Sequence, residues 1–344
     1  MKVRAPKIGQ LRVGPLSDAE QAAVAALAAA TADADGVAPL SEVPLLRLRE
    51  AAPWLTHIII PGDHGSVLGY AQVDRSGDTA SAELVVAPVA RRHGIGKRLL
   101  AVASADARMP AQAGQGHSSG KELRVWAHGD LPAAQGFAAA LGYQPVRELL
   151  LLSRPLASEA PPHYQLDGDY QLGADNHLAP GYRVREFDPS QDGPAWVELN
   201  AIVFADHPEQ GRLTLADLAD RQREPWFKAA DFALVEVEET GQLAGFCWVK
   251  VPPDQLGGQQ VGEIYAIGVH PHHRRRGIST HLLRSAFAQM ARNSFTDVTL
   301  YVEGDNEAAL ATYYTAGFAP VTADIQYAKS PGGSIAPTAQ NLQK

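Results

Sequence analysis

Two stretches of this 344-residue chain carry residues in an order suited to holding an anion. In the later one, Arg274, Arg275, Arg276 and Gly277 follow an alternating apolar run and lead into Ile278, Ser279 and Thr280, where helical spacing begins. Backbone N–H groups at a helix N-terminus lack an intrahelical acceptor, and the aligned peptide dipoles add partial positive charge there. A phosphate satisfies both, and Gly277 lets the backbone approach it without a Cβ in the way. The earlier stretch has the same parts in the same order: Arg91, Arg92, His93, Gly94, Ile95, Gly96 and Lys97. One such loop is a weak signal, because an isolated Arg run is as readily a solvated turn. Two copies, about 180 residues apart from Gly94 to Gly277 and each set between a strand pattern and a helix pattern, are a strong one.

The flanking elements are legible from periodicity. Ile264 to Val269 alternates and stops before Pro271, which cannot continue a ladder. From Thr280 to Met290, the residues Leu282, Leu283, Ala286, Phe287 and Met290 fall on one helical face. Other segments pair across the halves: LGYAQV near Gly69 with LAGFCWV near Gly245, and WAHGDLPAAQGFAAALGY with YVEGDNEAALATYYTAGF. Each half therefore reads as a strand, helices, three strands, a loop and helix, then strand, helix, strand. The expected fold class is α/β in two tandem domains, 1–157 and 181–329. A Pro-, Gly- and Asp-rich linker at 158–180 joins them, and a flexible tail follows at 330–344. Residues 110–120 also read as mobile.

Composition narrows the class. A hydrophobic share of 45% suits a soluble globular protein, and a net charge of −8 gives no basic footprint for nucleic acid. The single cysteine, Cys247, allows no internal disulfide and fits a reducing compartment; between Phe246 and Trp248 it reads as a small buried hydrophobe. The Ala-rich run from Ala22 to Ala30 is too short for a membrane span, and the N-terminus lacks an apolar signal core. A cytoplasmic monomer without nucleic-acid or membrane partners is expected. His270, His272 and His273 look like a metal cluster but lack a partner at ligand spacing, so no metal is expected.

The order of strand, Arg-x-x-Gly-x-Gly loop and helix, followed by Asn306, Tyr313 and the dipeptide Gly317-Phe318, resembles the GCN5-related N-acetyltransferases. The resemblance covers both halves. It implies a mixed, mostly antiparallel sheet with helices on both faces in each half, and a splayed parallel strand pair that admits the pantetheine arm of acetyl-CoA as a pseudo-strand. More narrowly, SEVPLL at Ser41, HPEQG at His207, WVK at Trp248, GEIYAIGVHP at Gly262 and LYVEGDN at Leu300 resemble tandem members that acetylate the cysteinyl amine of a cysteinyl-glucosaminyl-inositol in actinobacteria. Acetyl-CoA is then the expected co-substrate. In the second half Ile267, Gly268 and Val269 would hold pantetheine. Arg274, Arg275, Arg276, Gly277, Ile278, Ser279 and Thr280 would hold pyrophosphate, while Asn306, Glu307, Ala308, Ala309, Leu310 and Ala311 would flank the arm. The first half offers Leu84, Val85 and Val86, then Arg92, His93, Gly94, Ile95, Gly96 and Lys97. Ser279 departs from the family's Gly or Ala, and its Cβ and hydroxyl imply weaker or adjusted CoA binding.

The halves differ in proton-handling residues. Aligned on Pro88 and Pro271, Glu263 falls opposite Ala80, and Glu83 opposite Ala266. Three residues is an odd offset, so strict alternation sends Glu83 to the other face of its strand. Aligned on Gly142 and Gly317, Tyr313 falls opposite Ala138. The expected catalytic pair is thus Glu263 as general base, through water, and Tyr313 as donor to the CoA thiolate, with a non-catalytic N-terminal domain. For the acceptor, the resemblance points to Glu42, Glu209, Lys250, Glu263 and Tyr301. Carboxylates suit an amine, and Lys250 and Tyr301 suit sugar hydroxyls. Acetylation of another amine, such as an aminoglycoside, a polyamine or a protein N-terminus, stays open. So does acyl-CoA sensing without turnover.

Overall fold

The computed structural model describes residues 8–109, 120–156, 178–205, 207, 210–251, 260–293 and 295–329. Most of segment 110–120, most of the linker, the tail and Glu209 lie outside them. The first half runs β1 (Arg12–Val13), α1 (Asp18–Asp35), α2 (Glu42–Leu46), β2 (Leu55–Pro61), β3 (Val67–Asp74), β4 (Ala80–Val86), α3 (Ile95–Ala107), β5 (Leu123–Ala127), α4 (Pro132–Ala140) and β6 (Gln144–Pro155). The second half repeats the order: β7 (Tyr182–Glu186), α5 (Gly193–Val203), α6 (Leu215–Gln222), β8 (Phe232–Val237), β9 (Leu243–Lys250), β10 (Val261–Val269), α7 (Ile278–Arg292), β11 (Asp297–Glu303), α8 (Glu307–Thr315) and β12 (Ala319–Ala328). This is the element order the repeat implies, in two tandem α/β domains.

The described residues divide into two units. One takes those within Met1–Leu150, Glu303–Asp305 and Thr322–Lys344; the other takes those within Leu151–Val302 and Asn306–Val321. In the first unit the strand order is β1-β2-β3-β4-β5-β12, so its last strand comes from near the end of the chain. Ile325 lies opposite Ala127 and Tyr327 opposite Val125, antiparallel, while β4 and β5 run parallel. In the second unit the order is β11-β10-β9-β8-β7, with β10 and β11 parallel, and the Leu151–Pro155 end of β6 belongs to the same unit.

Each unit has its own core. In the first, Val24, Ile58, Tyr70, Ala80 and Leu99 are wholly buried. α1 opens on a capping box between Ser17 and Glu20 and stops at Gly36, whose φ of 73° only glycine adopts cheaply. In the second, Phe232 stacks on Trp248 at 4.6 Å between centroids, and Trp196 meets both edge-on. Leu282, Leu283, Ala286, Phe287 and Met290 of α7 are all buried, as their spacing predicts. Among the described residues no helix is long and apolar enough to cross a membrane.

One irregularity matters for the site. Between Ile264 and Ala266 the β10–β9 register shifts, leaving Tyr265 as an extra residue, whereas β3 and β4 pair without a shift. Such a bulge resets the side-chain alternation by one.

Candidate active site

The parallel pair of the second unit opens partway along. β10 and β11 stay in register from Val261 and Asp297 to Ile264 and Leu300, and then the ladder ends although both strands continue. Beyond that point Ile267, Gly268 and Val269 pair with β9 on one side. Their other side faces the gap, where an extended ligand carrying amides can add as a strand. In the first unit β4 and β5 part after Ala82 and Val125, so Leu84, Val85 and Val86 stand in the same relation to a gap.

At the end of each gap lies the duplicated loop, with nearly the same backbone in both. Arg275 and Gly277 have φ of 65° and 75°; Arg92 and Gly94 have 65° and 77°. Alternating left-handed residues turn successive N–H groups into one concavity, an anion nest. A side chain in that region is uncommon and costs energy, so two arginines held there mark a conformation that the surrounding structure enforces. α7 and α3 begin at Gly277 and Gly94 without a side-chain cap. These loops fit a pyrophosphate, and the gaps fit a pantetheine arm.

Gly277→Ala is expected to weaken CoA binding about fivefold, because alanine relaxes out of the left-handed region in the free protein and binding must restore it at a cost of about 1 kcal/mol. Titration calorimetry with CoA measures this, and unchanged affinity would remove the loop from the cofactor site.

The Ser279 departure has a local explanation. A Cβ at Gly96 would approach the ring of Phe137 on α4 to 3.3 Å. In the repeat alignment the position of Phe137 is taken by Thr312, so the second copy has a smaller neighbour there. The histidines beside the loop have local partners: His270 accepts from the His272 N–H at 3.2 Å, and His273 Nδ1 lies 2.8 Å from the Tyr182 hydroxyl. Burial, then the repulsion of neighbouring His and Arg residues, lowers the pKa of His270 and His273. Among the described residues no His, Cys, Asp and Glu cluster could hold a metal.

Glu263 lies on β10 directly opposite Lys250 of β9, next to where the strands part, and both side chains are half-buried. The Lys250 ammonium sits 4.8 Å from the Trp226 ring centroid and 5.3 Å from that of Tyr265. Tyr313 on α8 is half-buried, with its ring edge-on to Phe318 at 5.9 Å. Burial, then nearby Cys247, pushes its phenol pKa up, so the hydroxyl keeps its proton. Cys247 is itself buried in β9, which pushes its thiol up to about 12 and makes it a poor nucleophile. Asn306 caps α8, accepting from the Ala309 N–H at 3.1 Å, so Glu307 to Ala311 form the first turns of that helix. Tyr301 is exposed, on β11 just beyond the last paired residue. Glu42 lies in the other unit, at the start of α2. Trp226, Tyr265 and Arg221 were invisible to motif reading, because a lone aromatic residue passes for core and a lone arginine for a surface charge. The one signal was a Tyr on the same strand as Glu263, two residues on.

The first unit corrects one sequence expectation. Glu83 does not point away from the face used by Glu263: it reaches the helix side of its sheet, accepting from the Ser41 N–H and hydroxyl, both at 2.6 Å. The bulge at Tyr265 supplies the missing half-period, so the odd offset becomes even. Glu83 is buried and occupied. His128 Nε2 lies 3.1 Å from it, and His128 Nδ1 lies 2.8 Å from Asp324, which also accepts from the Gly129 N–H at 2.7 Å. Burial alone would lower the His128 pKa, but the two carboxylates outweigh it and push it up to about 10. The Glu83 carboxylate is thus already engaged by three donors within its own unit.

The acetyltransferase (GNAT) family model matches residues 196–318, and an acetyltransferase (GNAT) domain model matches residues 55–145. The chain is 45% identical to a mycothiol acetyltransferase of Sanguibacter keddieii, over 93% of this chain and 96% of that protein. It is 42% identical to one of Cellulomonas flavigena, over 94% and 89%. Among solved structures, a tandem GNAT protein from the clavulanic acid biosynthesis pathway matches with a TM-score of 0.64 at 20% identity, covering 94% of this chain and 100% of that one. A GCN5-related N-acetyltransferase from Sphaerobacter thermophilus matches at 0.62 and 21% identity, covering 94% and 98%. At those identities the two structures speak for the fold alone.

Proposed function

The chain belongs to the mycothiol acetyltransferases, tandem members of the GNAT acetyltransferase family, and from that premise we propose that it moves an acetyl group from acetyl-CoA to the cysteinyl amine of a cysteinyl-glucosaminyl-inositol. The observation that carries this is the conjunction, within one unit, of a parting strand pair, an anion nest and Glu263 beside the parting point. When bound, acetyl-CoA supplies the acetyl group already activated as a thioester. Ile267, Gly268 and Val269 would hold its amide-bearing arm, and residues from Arg274 to Thr280 its pyrophosphate.

Glu263 takes a proton from the acceptor amine through a water molecule. An α-amino group titrates at roughly 7.7 to 8.0, so about a tenth is already neutral at pH 7 and modest help suffices. Tyr313 offers its proton to the departing thiolate, a role served by a phenol that burial keeps protonated. Lys250 donates to acceptor hydroxyls, and Tyr301 lines the same side. On this reading the first unit is non-catalytic: its alignment leaves Ala138 at the Tyr313 position, and its carboxylate is engaged by His128. The enzyme works on a small molecule, as a cytoplasmic monomer.

The test is CoA release from acetyl-CoA with a panel of amines that includes the cysteinyl-glucosaminyl-inositol. Release with that acceptor at least tenfold faster than with a polyamine, an aminoglycoside or a peptide N-terminus is the outcome expected from family specificity, about the worth of one hydrogen bond to a charged group. Preference for another amine overturns the acceptor assignment. Tight acetyl-CoA binding with no release from any amine would make the protein a sensor.

A further inference from the structure

Lys250 ends β9, and a lysine there carries a flexible stem whose ammonium is a costly group to fix. In this protein it is not left to solvent alone. Its Nζ lies 4.8 Å from the Trp226 ring centroid and 5.3 Å from that of Tyr265, both within the range of attraction between a cation and an aromatic face. The two rings are 5.1 Å apart and inclined by 49°, and each also contacts Trp248, at 5.6 and 5.0 Å. Tyr265 is the extra residue of the β10 bulge, so the same irregularity that sets the phase of Glu263 brings this ring alongside Lys250.

The phenol is anchored from behind. Arg221 of α6 is a buried arginine whose Nε donates to the Tyr265 hydroxyl at 2.6 Å, while its Nη1 donates to the Asp217 carbonyl at 2.9 Å. A buried guanidinium bonded to a mid-strand phenol is more than packing needs, since leucine at either position would fill the space without desolvating a charge.

We propose that Trp226 and Tyr265, the latter locked by Arg221, form an aromatic clamp that holds the Lys250 ammonium across from Glu263 and so sets recognition of a polyhydroxylated acceptor. The clamp residues are positioning residues, acting through Lys250. The inference rests on Lys250 being an acceptor contact, as proposed above. A fixed ammonium keeps its donors aimed at neighbouring hydroxyls, whereas a mobile one must be ordered when the acceptor binds, and that loss falls on acceptor affinity and not on acetyl-CoA.

The experiment uses the full chain, with initial rates in both substrates, calorimetric binding of the cysteinyl-glucosaminyl-inositol and a thermal melt. Tyr265→Leu is expected to raise the acceptor KM and Kd about tenfold with the acetyl-CoA KM unchanged, and Tyr265→Phe, which keeps the aromatic face but loses the Arg221 lock, raises them about threefold. Trp226→Phe, a milder change that preserves packing, raises acceptor KM about threefold and serves if Tyr265→Leu does not fold. In a Lys250→Met background Tyr265→Leu adds less than about twofold, because both changes remove one interaction.

An unchanged acceptor KM in both Tyr265→Leu and Trp226→Phe, or full additivity with Lys250→Met, overturns the clamp. If Lys250→Met itself leaves acceptor KM and Kd unchanged, the underlying assignment of Lys250 falls; a raised KM there with none in the clamp variants sinks the clamp alone.

Discussion

Glu263→Gln is expected to lower kcat/KM for the acceptor about a hundredfold at pH 7, the lower end of what general base catalysis supplies. The substitution keeps shape and hydrogen bonding while removing basicity. Because the acceptor amine loses its own proton near pH 8, the deficit shrinks as pH rises and falls to a fewfold by about pH 9. Tyr313→Phe behaves differently. Its phenol pKa is raised, so the proton is present throughout that range, and the loss in kcat, about ten- to a hundredfold, does not recover at high pH. A pH–rate profile of both variants separates the two roles. Activity within a fewfold of wild type for both, at pH 7, would remove this mechanism.

His128→Gln is expected to destabilise the first unit by about 3 to 5 kcal/mol, since it leaves Glu83 and Asp324 buried without their cation. The pH dependence follows from the direction of the shift. The folded imidazole titrates at about 10, against an ordinary value near 6.5 in the unfolded chain. Its stabilisation is therefore fully present below about pH 6.5 and is lost as pH rises through about 10. Urea unfolding of wild type and variant at pH 6, 8 and 10.5 gives the difference directly, with other titrating groups cancelling. A gap that is large at pH 6 and narrows by pH 10.5 is the expected result. A difference below 1 kcal/mol at pH 6 would mean that the cluster is solvated and the ion triad unimportant.

Much of this was legible in the chain itself. The repeat fixed the element order, since strand and helix periods are local properties that neighbouring residues alone declare. Gly94 and Gly277 announced the left-handed loops that open α3 and α7, and the buried face of α7 followed from its spacing. The asymmetry between the halves was visible because comparing them sets Ala138 against Tyr313.

The rest depended on contacts distant in sequence. Alternation predicted that Glu83 points away, and a single bulged residue at Tyr265 reversed that, because a register shift shows only once two strands are paired. Nothing local in Ala319–Ala328 says that it will lie against β5, nor does His128 name Glu83 and Asp324 as its neighbours. Sequence by itself determined which elements exist, where the two Arg- and Gly-containing loops lie and which half carries Glu263 and Tyr313. Only the tertiary structure decided strand neighbours, side-chain phase and the charge state of buried groups, because pairing, bulging and desolvation are set by residues that meet only after the chain has folded.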